Sequence, residues 1–167
     1  MSLTFVAGSA ADVFAGALAE VVDLELRRRF PSLAPTHDRY ESEPVAATGW
    51  RELQRRVLLT LDLAPQLTTI EAYQAVYVPD ASAGVDQLPI ANLADPLQVG
   101  SLPALLDELR RFAAAASLPT DDVELMQLGA HYLESDFDKD LDVQTYVQLM
   151  LTAKQAAAHN QPLWIVV

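Results

Sequence analysis

An acidic segment, Asp136-Phe137-Asp138-Lys139-Asp140-Leu141-Asp142, is the part of this sequence whose residue types and spacing come closest to a known chemistry. Alternating aspartates can supply the hard oxygen ligands that Ca²⁺ prefers. An EF-hand loop also needs glycine at its sixth position and glutamate at its twelfth. Counted from Asp136, those positions hold Leu141 and Val147, and a count from Asp138 fails in the same way. We therefore expect no metal ion here, and the sequence indicates no other cofactor.

Two ordinary uses of this segment remain. Ionised aspartates keep a connector between helices solvated, and one of them can cap the helix that follows. They can also form an acidic edge that a partner protein binds. The candidate partner-binding residues are Asp136, Asp138, Asp140 and Asp142.

The second candidate site lies in a long irregular stretch, residues 31–48, which contains three prolines. His37 is followed by Asp38, and an aspartate that orients an imidazole can make it a general base. Glu41 is the next acid along the chain and could complete an acid pair. Adjacent side chains usually diverge, and the sequence has no Gly-x-Ser-x-Gly nucleophile elbow. His37, Asp38 and Glu41 therefore form the alternative, catalytic site.

Two further patterns are weaker. His131 and Glu134 are three residues apart on an expected helix and so share a face, but a metal site needs at least one more ligand. Ser101, which follows Gly100, can open a helix toward an anion, but a phosphate loop would add clustered glycines and a lysine. The ordinary roles, a surface histidine and a serine cap, explain both patterns.

The charge of the chain argues against several partners. The formal net charge is −12, and such a field repels phosphate backbones and anionic lipids. Arginines occur in short runs flanked by acids, whereas nucleic-acid binding favours a contiguous basic stripe with aromatic platforms. From Phe112 onward there are eight acids and only two lysines. We expect no nucleic-acid or membrane binding, and faster encounter with a basic protein.

Composition places the chain among globular proteins of a reducing compartment. Apolar residues make up 51% of it and cysteine is absent, which excludes disulfides and thiolate-bound zinc. Residues 1–8 lack the basic and long apolar regions of a signal peptide, and no apolar run is long enough to span a bilayer. These observations predict a cytoplasmic protein.

Apolar spacing predicts about five helices. The first follows Ser9, the second follows Thr48, and the third follows Ser101. The fourth begins at Asp121 and the fifth at the end of the acidic segment. The apolar residues expected to face inward on the fourth helix are Leu125, Leu128, Tyr132 and Leu133.

Segments rich in β-forming residues predict three to five strands. They include residues 3–6, 72–78 and 97–99, with an edge strand at Leu88-Pro89-Ile90. The apolar chain end, residues 163–167, would be costly to expose and is expected to be a buried strand. Residues 1–167 thus form a single α+β domain, a mixed sheet with helices packed on it.

The favoured function is a non-enzymatic, acidic protein-binding domain with a basic partner, of the kind found in immunity, adaptor or regulator proteins. The alternative is a small hydrolase or transferase with its site in the 31–48 loop, so whether the chain is an enzyme stays open. A homodimer is a further alternative.

Overall fold

A mixed seven-stranded sheet and six α-helices make up residues 1–34 and 38–167, the parts of the chain that the computed structural model describes. The strands are β1 (Ser2–Ala7), β2 (Tyr40–Glu41), β3 (Val45–Ala46), β4 (Ala75–Val78), β5 (Asp86–Leu88), β6 (Leu97–Ser101) and β7 (Leu163–Val166). The helices are α1 (Gly16–Arg29), α2 (Ala47–Thr60), α3 (Pro65–Thr68), α4 (Leu102–Ala116), α5 (Asp122–Glu134) and α6 (Leu141–Ala158). This confirms the predicted α+β class.

The C-terminal strand β7 lies in the middle of the sheet, which confirms the prediction that it is buried. The strand order is β2-β1-β7-β4-β6-β5, and β3 pairs with β1 beside β2. Strand β7 is antiparallel to both β1 and β4, whereas β4 and β6 are parallel. Pairing on both sides satisfies the backbone hydrogen bonds of a strand that water does not reach.

Side chains of the strands alternate between two cores. In β7, Leu163 and Ile165 face the helices α2 to α6, while Trp164 faces α1. The indole Nε1–H of Trp164 donates to the backbone oxygen of Gly8 at 3.1 Å, which satisfies its polar atom inside the smaller core. One helix on one face and five on the other thus cover the sheet.

The sheet is larger than the three to five strands that the sequence predicts. The two additional strands, β2 and β3, lie within the 31–48 stretch and contain two residues each, too few to show an apolar period. Strand β5 ends at Leu88 because Pro89 has no N–H for the ladder. Helix α3, a single turn beginning at Pro65, was also not predicted.

A buried carboxylate holds α3 against α4. The Glu108 residue is 3% exposed, and its carboxylate accepts the backbone N–H groups of Gln66 at 3.0 Å and Leu67 at 2.9 Å. The side-chain oxygen of Gln66 in turn accepts the N–H of Ser101, and its backbone oxygen accepts the Tyr77 hydroxyl at 2.7 Å. This network of hydrogen bonds links α3, α4, β4 and β6.

Candidate functional site

Asp136 lies in the acidic connector, residues 135–142, which joins α5 to α6 and includes the first two residues of α6. Its carboxylate accepts hydrogen bonds from Lys139 Nζ at 2.7 Å and His131 Nε2 at 3.0 Å. The bond from Lys139, more than the proximity of His131, lowers the pKa of Asp136. The structure therefore brings His131 to Asp136, and the Lys139 ammonium is already paired within the connector.

Asp140 and Asp142 also have partners within the chain. Asp140 adopts the left-handed backbone conformation, with φ 44°, and accepts the Tyr132 hydroxyl at 2.9 Å. Burial, followed by this bond to Asp140, raises the pKa of Tyr132 to about 12. Asp142 pairs with Arg56 of α2 at 2.7 Å. These contacts connect the connector to α5 on one side and to α2 on the other.

Of the four predicted partner-binding aspartates, Asp138 alone has a side chain with no hydrogen bond or ion pair among residues 1–34 and 38–167, and it is exposed. In this described part of the chain, no three histidine or acidic side chains lie close enough to hold a metal ion. The connector is thus mainly an internally bonded turn, with one carboxylate directed to solvent.

We expect the Tyr132→Phe variant to lose about 1 kcal/mol of unfolding free energy, because one partly buried hydrogen bond to a charged acceptor disappears. Urea unfolding followed by circular dichroism measures it. Thr60→Val serves as the control, since its hydroxyl bonds only within α2 and is exposed. An unchanged midpoint for Tyr132→Phe would show that the bond to Asp140 contributes nothing.

The structure describes only part of the alternative site in the 31–48 loop. His37 lies outside the described residues, Asp38 is exposed, and Glu41 pairs with Arg39 at 2.6 Å on the edge strand β2. A cleft of about 580 Å³ has neither Asp38 nor Glu41 in its lining, although Ala47 and Thr48 at the end of the loop do line it. It is lined by the start of α2, the segment before β4 and both chain ends: Met1, Ala47, Thr48, Trp50, Arg51, Gln54, Glu71, Ala72, Tyr73 and Val167.

Helix α5 exposes an apolar stripe that the sequence analysis did not identify. Val123, Met126, Ala130 and Leu133 follow one another at spacings of three, four and three residues, which places them on one face. Their larger members are 61%, 58% and 54% exposed, in chain order. Phe137, just beyond the end of the helix, is 72% exposed. We call the four helical residues the outer stripe.

The prediction that Leu133 faces inward was wrong. Leu125 and Tyr132 are buried against α6, and Leu128 is partly buried, as expected. Leu133 instead belongs to the outer stripe because α5 has two apolar faces, and the spacing of Leu133 fits either one. The heptad-like spacing from Val123 to Leu133 is the feature of the sequence from which the second apolar face could have been predicted.

Carboxylates border the outer stripe, which lies in a part of the sequence without lysine or arginine. No lysine or arginine occurs between Phe112 and Asp138. Glu124 and Glu134 lie on the polar side of α5, and Glu134 follows Ala130 by one helical turn. On the other side, Glu43 lines a shallow depression together with Leu133.

Two other acids at the start of α5 have structural roles. Asp121 caps the helix by accepting the N–H groups of Val123 and Glu124 at 3.1 and 3.2 Å. Asp122 pairs with Lys154 of α6. Burial, followed by the charges of Glu43 and Asp122, raises the pKa of Tyr40.

Comparisons with models of protein families, with curated protein sequences and with solved structures find no match for this chain. In the described ranges, no helix has both the length and the apolar composition that crossing a bilayer requires. The class of protein must therefore be argued from the surface of α5 and the connector.

Proposed function

We propose that this chain is a non-enzymatic protein-binding domain that holds a basic protein partner on the outer face of α5 and the adjoining connector. One observation carries the proposal: an exposed apolar stripe bordered by carboxylates, in a stretch with no lysine or arginine. A contiguous apolar patch on the surface of a folded protein marks an interaction site more often than scattered apolar residues do.

The two components of this surface have different roles in binding. Burying the exposed part of a side chain such as Met126, Leu133 or Phe137 contributes roughly 1–2 kcal/mol each by the hydrophobic effect, since each is already partly covered. The carboxylates of Glu124, Glu134 and Asp138 contribute less to affinity, but they attract a basic partner and exclude an acidic one. A net charge of −12 extends that attraction to long range at low salt.

The connector positions this surface. Asp136, Asp140 and Asp142 are engaged by Lys139, Tyr132 and Arg56, so these aspartates stabilise the turn that follows α5. Of the four predicted partner-binding aspartates, Asp138 is the one we propose to contact the partner directly. We place this encounter in the cytoplasm, as the sequence analysis expects.

The triple variant Glu124→Gln, Glu134→Gln, Asp138→Asn tests the proposal as bait in affinity capture from the native host. We expect it to lose basic proteins that the wild-type chain recovers. For a recovered and purified partner, binding should weaken about tenfold, since three exposed ion pairs contribute roughly 0.5 kcal/mol each. Isothermal titration calorimetry at two salt concentrations measures the affinity and its salt dependence.

A second triple variant, Glu20→Gln, Glu52→Gln, Asp95→Asn, removes the same net charge from exposed positions outside this surface. It should recover the same partners as the wild type. Equal recovery by both triple variants would contradict the proposed surface. The absence of any salt-sensitive basic partner would contradict the proposed function.

A further inference from the structure

The spacing of the outer stripe indicates which structural element it receives. The spacing between successive residues of the stripe alternates between three and four from Val123 to Leu133. This is the spacing found along the seam where one helix packs against another. The stripe spans about 15 Å along α5, or roughly three helical turns. An extended peptide would need unpaired backbone groups of a sheet edge, and α5 has none to offer.

Carboxylates lie on both sides of this seam. Glu134 borders it on the polar side of α5, where Glu124 lies farther round the helix, and Glu43 borders it across the depression that Leu133 lines. A helix seated on the stripe would therefore have negative charge along both of its flanks. Basic residues at the flanking positions complement that charge, and acidic residues there would be repelled.

Resting on the proposed function, we propose that the partner's docking element is an amphipathic α-helix with apolar residues at alternating three- and four-residue spacing and lysine or arginine on both flanks. It packs lengthwise along Val123, Met126, Ala130 and Leu133, and Phe137 extends the apolar contact beyond the end of α5. The basic flanks of such a helix are complementary to the carboxylates that border the stripe, and for this reason we propose this occupant.

A second copy of the chain fits this surface less well. In a symmetric dimer the same patch meets itself, so Glu124 and Glu134 of one copy would face the same carboxylates of the other. A stripe about 15 Å long and one helix wide also falls far short of the roughly 800 Å² per partner of a standard stable interface. A short basic helix requires less area and relieves the repulsion.

The test uses a fluorescein-labelled synthetic peptide of about three heptads, with leucine at the two seam positions and lysine on the flanks. Fluorescence anisotropy measures its binding to the whole chain, and circular dichroism measures the helix formed. A scrambled peptide of the same composition has no apolar face. We expect the scrambled peptide to bind the wild-type chain at least about tenfold more weakly.

The protein variant Met126→Gln, Leu133→Gln should weaken binding of the ordered peptide by at least about tenfold. Both side chains are more than half exposed, so the variant is expected to fold, which circular dichroism checks. The matched control is Leu58→Gln, Leu59→Gln at the end of α2, where the exposed fractions are 65% and 82%. The control should bind the peptide like the wild type.

The outcomes separate this inference from the proposed function. If the ordered and scrambled peptides bind equally and Met126→Gln, Leu133→Gln has no effect, the helix inference fails. The proposed function then still stands provided that the triple variant at Glu124, Glu134 and Asp138 loses the basic partners. If sedimentation shows a wild-type dimer that this double variant dissociates, a second copy occupies the stripe and the inference is overturned.

Discussion

The Glu108→Ala variant is expected to lose about 4 kcal/mol of unfolding free energy, because two buried backbone N–H groups lose their acceptor at a cost of roughly 1–3 kcal/mol each. The carboxylate is the partner of Gln66 and Leu67 at the start of α3, where no preceding turn of helix supplies one. Urea unfolding measures the loss. A loss of unfolding free energy smaller than about 1 kcal/mol would show that water replaces the carboxylate as the acceptor.

The isosteric variant Glu108→Gln provides the control, because its amide oxygen still accepts one N–H while the charge is removed. Burial raises the pKa of Glu108, more strongly than its two backbone hydrogen bonds lower it. The folded chain therefore binds this proton more tightly than the unfolded chain does. The stabilising contribution of protonated Glu108 is fully present below the ordinary carboxyl range and is lost as the pH rises through the raised native value.

The stability of the wild type relative to Glu108→Gln should accordingly fall as the pH rises across that window. Urea unfolding of both proteins over a pH series isolates the difference, since every other titrating group is common to them. A difference that stays constant with pH would contradict the raised pKa. A difference that changes in the opposite direction would show that the hydrogen bonds from α3 dominate over burial.

The Gly49→Ala variant has the second largest expected effect. A Cβ atom at Gly49 would meet the side-chain oxygen of Thr145 and lie 2.8 Å from the backbone oxygen of Leu141. The carbonyl cannot move without shifting the first turn of α6. Overpacking of this kind costs about 1–3 kcal/mol and outweighs the gain of up to about 1 kcal/mol in helix propensity. Because the clash is with backbone, we take the upper end of that cost and expect a net loss of about 2 kcal/mol in urea unfolding.

Gly129→Ala is the matched control, since Gly129 also lies inside a helix and is buried. A Cβ atom there would be 3.3 Å from the side-chain nitrogen of Gln148 and 3.4 Å from a methyl group of Val147, and both side chains can yield. We expect an effect within about 0.5 kcal/mol of zero. Equal losses at both positions would show that glycine itself, not the approach of α2 to α6, is required.

Much of the architecture was predictable from local patterns. The apolar run at residues 163–167 indicated a buried strand, and the helix expected to begin at Asp121 is α5, with Asp121 as its N-cap. These predictions succeeded because strand burial and helix capping depend on residues that are neighbours in sequence. Composition is equally local information: the absence of cysteine excluded thiolate chemistry. The net negative charge favoured a basic partner, which remains a proposal.

Other features depended on contacts between distant segments. Strands β2 and β3 exist because β1 supplies hydrogen-bond partners, and the role of Glu108 depends on α3, 41 residues away at Leu67. The aspartates of the connector read as equivalent in sequence, yet folding gives three of them partners and leaves Asp138 in solvent.

The sequence by itself determined the α+β class, the net negative charge and the burial of the last strand, because apolar period and net charge are properties of the chain before it folds. Only the tertiary structure decided which apolar face of α5 is buried. Both faces satisfy the helical period, and α6 can cover just one of them, so Leu133 and Met126 remain in water.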